Sequence, residues 1–284
     1  MWKTLLIGAT AAIAAAALVV MIANTRFDRA IDRRIGEMFA GRQPDSGRVV
    51  TEEDLSGLPD PISRWLRWSG VIGRPYPETV RLQQEGRFRM APDQRWAPIV
   101  ADQYYTLAPP ELIWRVRMTM FPGLFVRGVD SLEGGRGRIT IKLMGLFPIA
   151  DMRGEAFDQG VLLRYLQEIV WFPFAALGES ITWEVIDDTS ARAVLHADDL
   201  DVEGVFHIDA QGQVTEFSAI RYADEKPEPV LRPWRVPMSD YGTFDGIRVP
   251  THGLGIWVRE DGEFVYADLT ITDIGFDVPA VYGR

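Results

Sequence analysis

The chain contains no cysteine. That excludes a disulfide framework, thiolate metal sites, cysteine nucleophiles and a lipid-modified N-terminal cysteine. Histidine is scarce: only His196, His207 and His252 occur. His196 and His207 fall near Asp198, Asp199 and Asp201, a set of types that can ligate a metal. Both, however, sit on the polar side of their strands and read as surface histidines. No metal and no cofactor is expected. No Gly-x-Ser-x-Gly elbow, phosphate loop, dinucleotide fingerprint or His-Glu-x-x-His motif is present. Basic charge is also short, with 30 Lys and Arg against 40 Asp and Glu, a net charge of −10 and a pI near 4.9. A nucleic-acid partner needs a basic stripe and is therefore not expected. Acidic residues crowd 179–229, where only Arg192, Arg221 and Lys226 are basic, and read as a solvated face.

The longest apolar run is Thr4 to Ala23. As a helix it reaches about 30 Å, the thickness of a bilayer core. Met21 makes a poor −3 residue for cleavage after Ala23, so the run reads as an uncleaved signal anchor. The expected location is the cytoplasmic (inner) membrane, crossed once, with the globular part outside the cytoplasm. Arg26, Arg29, Arg33 and Arg34 just beyond the span argue the other orientation by the positive-inside rule. Phe27, Ile31, Ile35, Met38 and Phe39 keep helical spacing and predict an amphipathic helix resting at the membrane interface, or a free helical stalk. Gly41–Gly47 reads as a linker. The expected domains are 1–24, a transmembrane anchor; 25–50, a juxtamembrane helix and linker; and 51–284, a single β-rich globular domain.

Within that domain, Asp60-Pro61 opens a short helix with Ile62, Trp65 and Leu66 inward. From Thr79 onward the period is two. Val80, Leu82 and Phe88 share one face; so do Leu112, Trp114, Val116, Met118 and Met120; so do Ile139, Ile141 and Leu143. Gly160–Asp187 breaks the pattern. Asp158 is the expected cap of a helix that Pro173 ends, with Leu162, Leu163, Tyr165, Leu166, Ile169 and Val170 on its apolar side. Arg164, Gln167, Glu168 and Trp171 fill the remaining arc. Strands resume at Ile181, and Lys226–Pro237 reads as a proline-rich break. The pattern predicts a mainly β (α+β) fold of about ten antiparallel strands. Such a sheet is nearly 50 Å wide and one helix only about 10 Å, so the sheet must curl around it into a barrel or half-barrel, or split into a sandwich; a curved sheet or half-barrel is the expected form.

A concave face carrying Trp114, Met118, Trp183 and Phe206 is either a filled core or an apolar groove. Arg164 and Glu168, four apart, make a weak surface pair if the helix faces water; if the sheet wraps it, they are buried and organise a pocket with Trp171. The candidate ligand-binding residues are therefore Arg164, Glu168, Trp171, Trp114, Met118, Trp183 and Phe206. No catalytic residue is assigned.

Leu58-Pro59-Asp60-Pro61-Ile62, LQQEGRFRM from Leu82, Trp96-Ala97-Pro98, Arg164–Glu168, Trp171-Phe172-Pro173, Ala176-Leu177, Trp183-Glu184 and Arg221-Tyr222 together resemble an uncharacterised bacterial domain-of-unknown-function family, from about Thr51 to the C-terminus. The resemblance implies a common fold and brings no activity. In fold alone, a curved sheet around a helix is similar to the half-barrels of periplasmic lipoprotein carriers, whose anchored members have the lipidated cysteine missing here. The function expected is binding of a lipid or other apolar molecule at the membrane surface. The alternatives are a structural or interaction domain with a filled core, and an envelope hydrolase using Glu168 or another carboxylate.

Overall fold

The computed structural model describes residues 2–42, 47–225 and 228–283. Most of the expected linker, and Lys226 of the expected proline-rich break, lie outside the described residues. Helix α1 spans Trp2–Phe39 without interruption and is long and apolar enough to cross a membrane; its apolar window is unburied. Helix α2 covers Asp60–Ser69, with Pro61 in its first turn and Gly70 closing it in the left-handed region. Ile62, Trp65 and Leu66 face inward, as their spacing requires.

Six strands then run as a meander: β1 (Thr79–Phe88), β2 (Ala97–Thr106), β3 (Glu111–Phe121), β4 (Leu124–Glu133), β5 (Arg136–Leu143) and β6 (Phe147–Met152). Helix α3 (Glu155–Glu168) follows, continued by short 3₁₀ turns at Ile169–Trp171 and Pro173–Leu177. A second meander completes the chain: β7 (Ile181–Asp187), β8 (Ser190–Ala197), β9 (Leu200–Ile208), β10 (Val214–Ala223), β11 (Val230–Phe244), β12 (Ile247–Arg259) and β13 (Gly262–Phe276). All belong to one 13-stranded antiparallel sheet in the order β6-β5-β4-β3-β2-β1-β13-β12-β11-β10-β9-β8-β7. The first and last strands pair at its centre, for example Val80 with Phe276. The two edges, β6 and β7, are the strands that α3 and its 3₁₀ turns connect.

That topology explains the curl. Helix α3 packs against β4 and β5 of one wing and against β8, β9 and β10 of the other. The wings also meet at their tips, where Arg136 at the start of β5 lies 3.9 Å from Asp199 between β8 and β9. Gly137 lets the start of α3 come in close, since a Cβ there would sit 2.4 Å from the Phe157 carbonyl oxygen. The half-barrel is thus shown, with thirteen strands in place of about ten.

The extra strands have physical reasons. In β2 and β4 both faces are largely buried, so neither reads as a clean alternation. β11 contains Pro233 and Pro237, which argue against an inner strand. Its ladder to β12 begins at Trp234 and passes over Pro237, so neither missing N–H is needed there. The expected cap also moves. Asp158 lies inside α3, whose N-cap is Gly154, and its carboxylate accepts the Gly137 N–H at 2.7 Å and an Arg136 N–H at 3.2 Å. It ties the helix to β5 instead of capping it.

The apolar face of the second half of α1 packs on the sheet, so this segment is not a free stalk. Phe27, Ile31, Ile35, Met38 and Phe39 are buried in a cluster with Tyr104, Ile113 and Val129 on the outer face of β2, β3 and β4. Beside this seam runs a line of ions. Arg115, 4% exposed in its side chain, contacts Asp32 at 2.7 Å and Asp102 at 2.6 Å, and Arg127 pairs with Asp28. Helix α1 therefore supplies apolar and acidic side chains to the same docking face.

Candidate functional site

Three residues on the polar arc of α3, Arg164, Gln167 and Glu168, point into the concavity, not to water. Arg164 Nε donates to Glu168 Oε1 at 2.7 Å, Nη1 to Asp130 Oδ2 at 2.8 Å and Nη2 to Gln103 Oε1 at 3.2 Å. Its guanidinium lies over the Trp114 ring at 4.4 Å. Glu168 Oε2 accepts from Tyr105 Oη at 3.0 Å and from Gln103 Nε2. Trp114 Nε1 in turn donates to Gln84 at 2.9 Å. One guanidinium thus serves two carboxylates, one from the helix and one from β4.

Burial pushes the Glu168 carboxyl above its ordinary value, against the opposing pull of Arg164. Asp130 moves the same way for the same reason, opposed by Arg164 and Arg221. Glu168 Oε1 accepts one hydrogen bond and Oε2 two, so about three of the four acceptor sites of this carboxylate are taken within the protein.

Above this network lies a pocket of about 150 Å³ lined by Phe88, Trp114, Trp171, Trp234, Tyr266 and Leu269. Arg164, Gln167, Glu168, Asp130 and Arg221 reach the same pocket. Gln167 is buried, and its Nε2 has no hydrogen-bond partner in the protein. A second pocket of about 210 Å³ shares Arg221 and Tyr266 with the first and continues past Trp257, Phe264, Met90 and Ile139. Arg221 forms the waist: its Nε donates to the Gly160 carbonyl at 3.1 Å, and its guanidinium lies 4.6 Å from the Trp234 ring centre and 5.7 Å from that of Trp257. Arg89 and Arg259, both over Phe264, line the second pocket. Among the described residues, Arg89, Arg221 and Arg259 form no ion pair.

The structure divides the residues expected from the sequence. It brings Arg164, Glu168, Trp171 and Trp114 together at one pocket. Trp183 and Phe206 lie elsewhere, packed with Trp65 of α2 at ring distances of 6.4 and 5.7 Å, and Phe206 is completely buried. Met118 is half-buried against the core. None of the three lines a pocket described above. The sequence reading missed Asp130, Gln103, Trp234, Tyr266 and the role of Arg221. The available signal was a polar residue in an inward register, as Asp130 is between Gly128 and Leu132. Among the described residues no acidic or histidine cluster suits a metal; His196 bonds Asp201 at 2.9 Å and Thr182 at 3.0 Å on the surface.

Fold and site define a curved antiparallel half-barrel that holds an aromatic, arginine-bearing groove beneath one crossing helix. The chain belongs to a family of unknown function, DUF6544, whose sequence profile matches residues 48–269. No functionally curated protein matches it. Among solved structures it is similar to the crystal structure of the LolA superfamily protein NE2245 from Nitrosomonas europaea, at 13% identity and a TM-score of 0.41, over 75% of this chain and 91% of that one.

Proposed function

We propose that this protein is held in the inner membrane by Thr4–Ala23, with its half-barrel outside the cytoplasm, and binds a lipid-like amphiphile in the concave groove. The observation that carries the reading is the buried Gln167 Nε2, a donor without a protein acceptor at the wall of an aromatic pocket. Native structures satisfy nearly all such groups with protein, ordered water or ligand, so a buried donor left open at a pocket wall supports an acceptor oxygen there. Arg89, Arg221 and Arg259 add positive charge in an apolar wall, which suits an acidic or ester end on an apolar body. The two pockets together reach the lower end of the roughly 300–1,000 Å³ typical of small-molecule sites. That room suits one acyl chain or a compact amphiphile, not a whole two-chain lipid.

The test is native mass spectrometry of residues 25–284 purified without detergent, with oleate titrated against tryptophan fluorescence. Saturable quenching that Arg221→Ala weakens at least several-fold, with the melting temperature kept, is expected. Absence of both a co-purifying amphiphile and saturable oleate binding sinks the proposal. A filled structural domain is the second reading. Its support is the solid packing of Phe206, Trp183 and Trp65 under α2.

A further inference from the structure

The union of α1 with the sheet has a consequence at the membrane surface. Asn24 follows directly on the apolar run, and it is the first α1 residue bonded to the sheet. Its Nδ2 donates to the Met144 carbonyl at 2.9 Å, and its Oδ1 accepts from Arg127 at 3.1 Å. Ten residues on, Arg34 donates to Ser131 at 2.8 Å. Helix α1 and β4 therefore run side by side in the same sense. The path from Arg127 back to Leu124 is three strand residues, about 10 Å. The β3–β4 turn thus extends past Asn24 alongside the apolar run. The β5–β6 turn reaches the same level, because Gly145 (φ 73°) abuts Asn24: a Cβ there would lie 2.9 Å from its Oδ1.

Both turns carry large apolar side chains in the open. Phe121 and Phe147 are each 63% exposed, Ile149 58% and Met120 42%. A soluble surface does not favour phenylalanine at two neighbouring hairpin tips. Just behind them stand exposed Arg26, Arg29 and Arg117, none in an ion pair among the described residues. Apolar tips with a basic collar behind them match the depth profile of a bilayer edge, hydrocarbon first and anionic headgroups next. We propose that the β3–β4 and β5–β6 hairpin tips insert into the bilayer beside α1, so that the half-barrel sits on the membrane in one fixed orientation. The inference rests on the reading of α1 as a membrane span.

The absence of cysteine makes a clean test available. The full chain is labelled with bimane at single substitutions Phe121→Cys, Phe147→Cys, Ile13→Cys or Val185→Cys. It is then reconstituted into phosphatidylcholine–phosphatidylglycerol vesicles with or without nitroxide-labelled acyl chains. Ile13 reports the span. Val185, 66% exposed on the opposite sheet edge, reports water. Quenching at both tips that approaches that at Ile13 and exceeds that at Val185 several-fold is expected. Strong quenching at Ile13 with both tips at the Val185 level overturns the proposal alone. Quenching at only one tip overturns it for the other hairpin. No quenching at Ile13 overturns the membrane span and the proposal with it.

Discussion

Ile35→Ala tests whether the second half of α1 is part of the folded domain. Ile35 is completely buried, in the cluster with Tyr104, Ile113 and Val129. Truncating a buried isoleucine to alanine costs about 2–5 kcal/mol, through lost transfer energy and the cavity left behind. Alanine is the better helix former by a few tenths of a kcal/mol, so helix propensity pushes the other way. For a domain of this size the net loss lowers the melting temperature by on the order of 10 °C. The assay is thermal unfolding of the full chain, followed by tryptophan fluorescence. Arg33→Ala is the control, since that side chain is 74% exposed. A cycle with Ile113→Ala should show coupling of about 0.5–3 kcal/mol, because the two residues share one cluster. If α1 instead floats at the membrane interface, Ile35→Ala leaves the unfolding of the sheet unchanged. A shift no larger than that of Arg33→Ala, with no coupling to Ile113, refutes the docking argument.

Glu168 gives a pH prediction. Its carboxyl is raised from 4.5 by burial, so the folded state holds its proton more tightly than the unfolded chain. Stability from this source is present in acid and is lost as pH rises from about 4.5 toward the raised value. The difference in unfolding free energy between wild type and Glu168→Gln, measured by denaturant titration, should therefore fall as pH rises; a flat difference contradicts the assignment. Phe206→Ala should cost about 3–5 kcal/mol, from its ring contacts with Trp65, Trp183 and Phe217, and leave oleate binding intact. Loss of binding with stability retained would move Phe206 from the core to the groove.

Much of the fold was legible because one face of most strands is dry and the other wet. Width alone left a curl or a split into two sheets; the single continuous sheet with α3 packed against both wings is the curl. What escaped was where a second layer hides that contrast, as in β2 and β4, where prolines mask a strand, as in β11, and at the short exposed edge β6. β2 and β4 look irregular because α1 covers their outer face. The clue was present in β3, where Ile113 shares a face with Arg115 and Arg117, an apolar residue in a charged row. For the groove, sequence located Arg164, Glu168, Trp171 and Trp114, since they lie on α3, on the 3₁₀ turn that continues it and in the clearest strand. Which aromatics face the pocket and which pack under α2 depends on the curvature of each wing, and no periodicity encodes that. Trp183 lies in a plain alternating strand yet packs under α2, whereas Trp234, set between prolines, faces the pocket.

The pairing of β1 with β13 also sets the order in which this chain can fold. Each wing is a meander whose hairpins close locally and quickly, whereas the central ladder joins residues as far apart as Val80 and Phe276. During synthesis the final strand emerges last. Until then β1 and β12 each carry an unpaired inner edge, and both are long, at 10 and 13 residues. The nascent protein therefore passes through a stage with two half-sheets and two open edges, and a single strand at the C-terminus ends it. Chains cut short within β13 should be prone to edge-to-edge aggregation even though every residue of the groove on β3, β4 and α3 is already made.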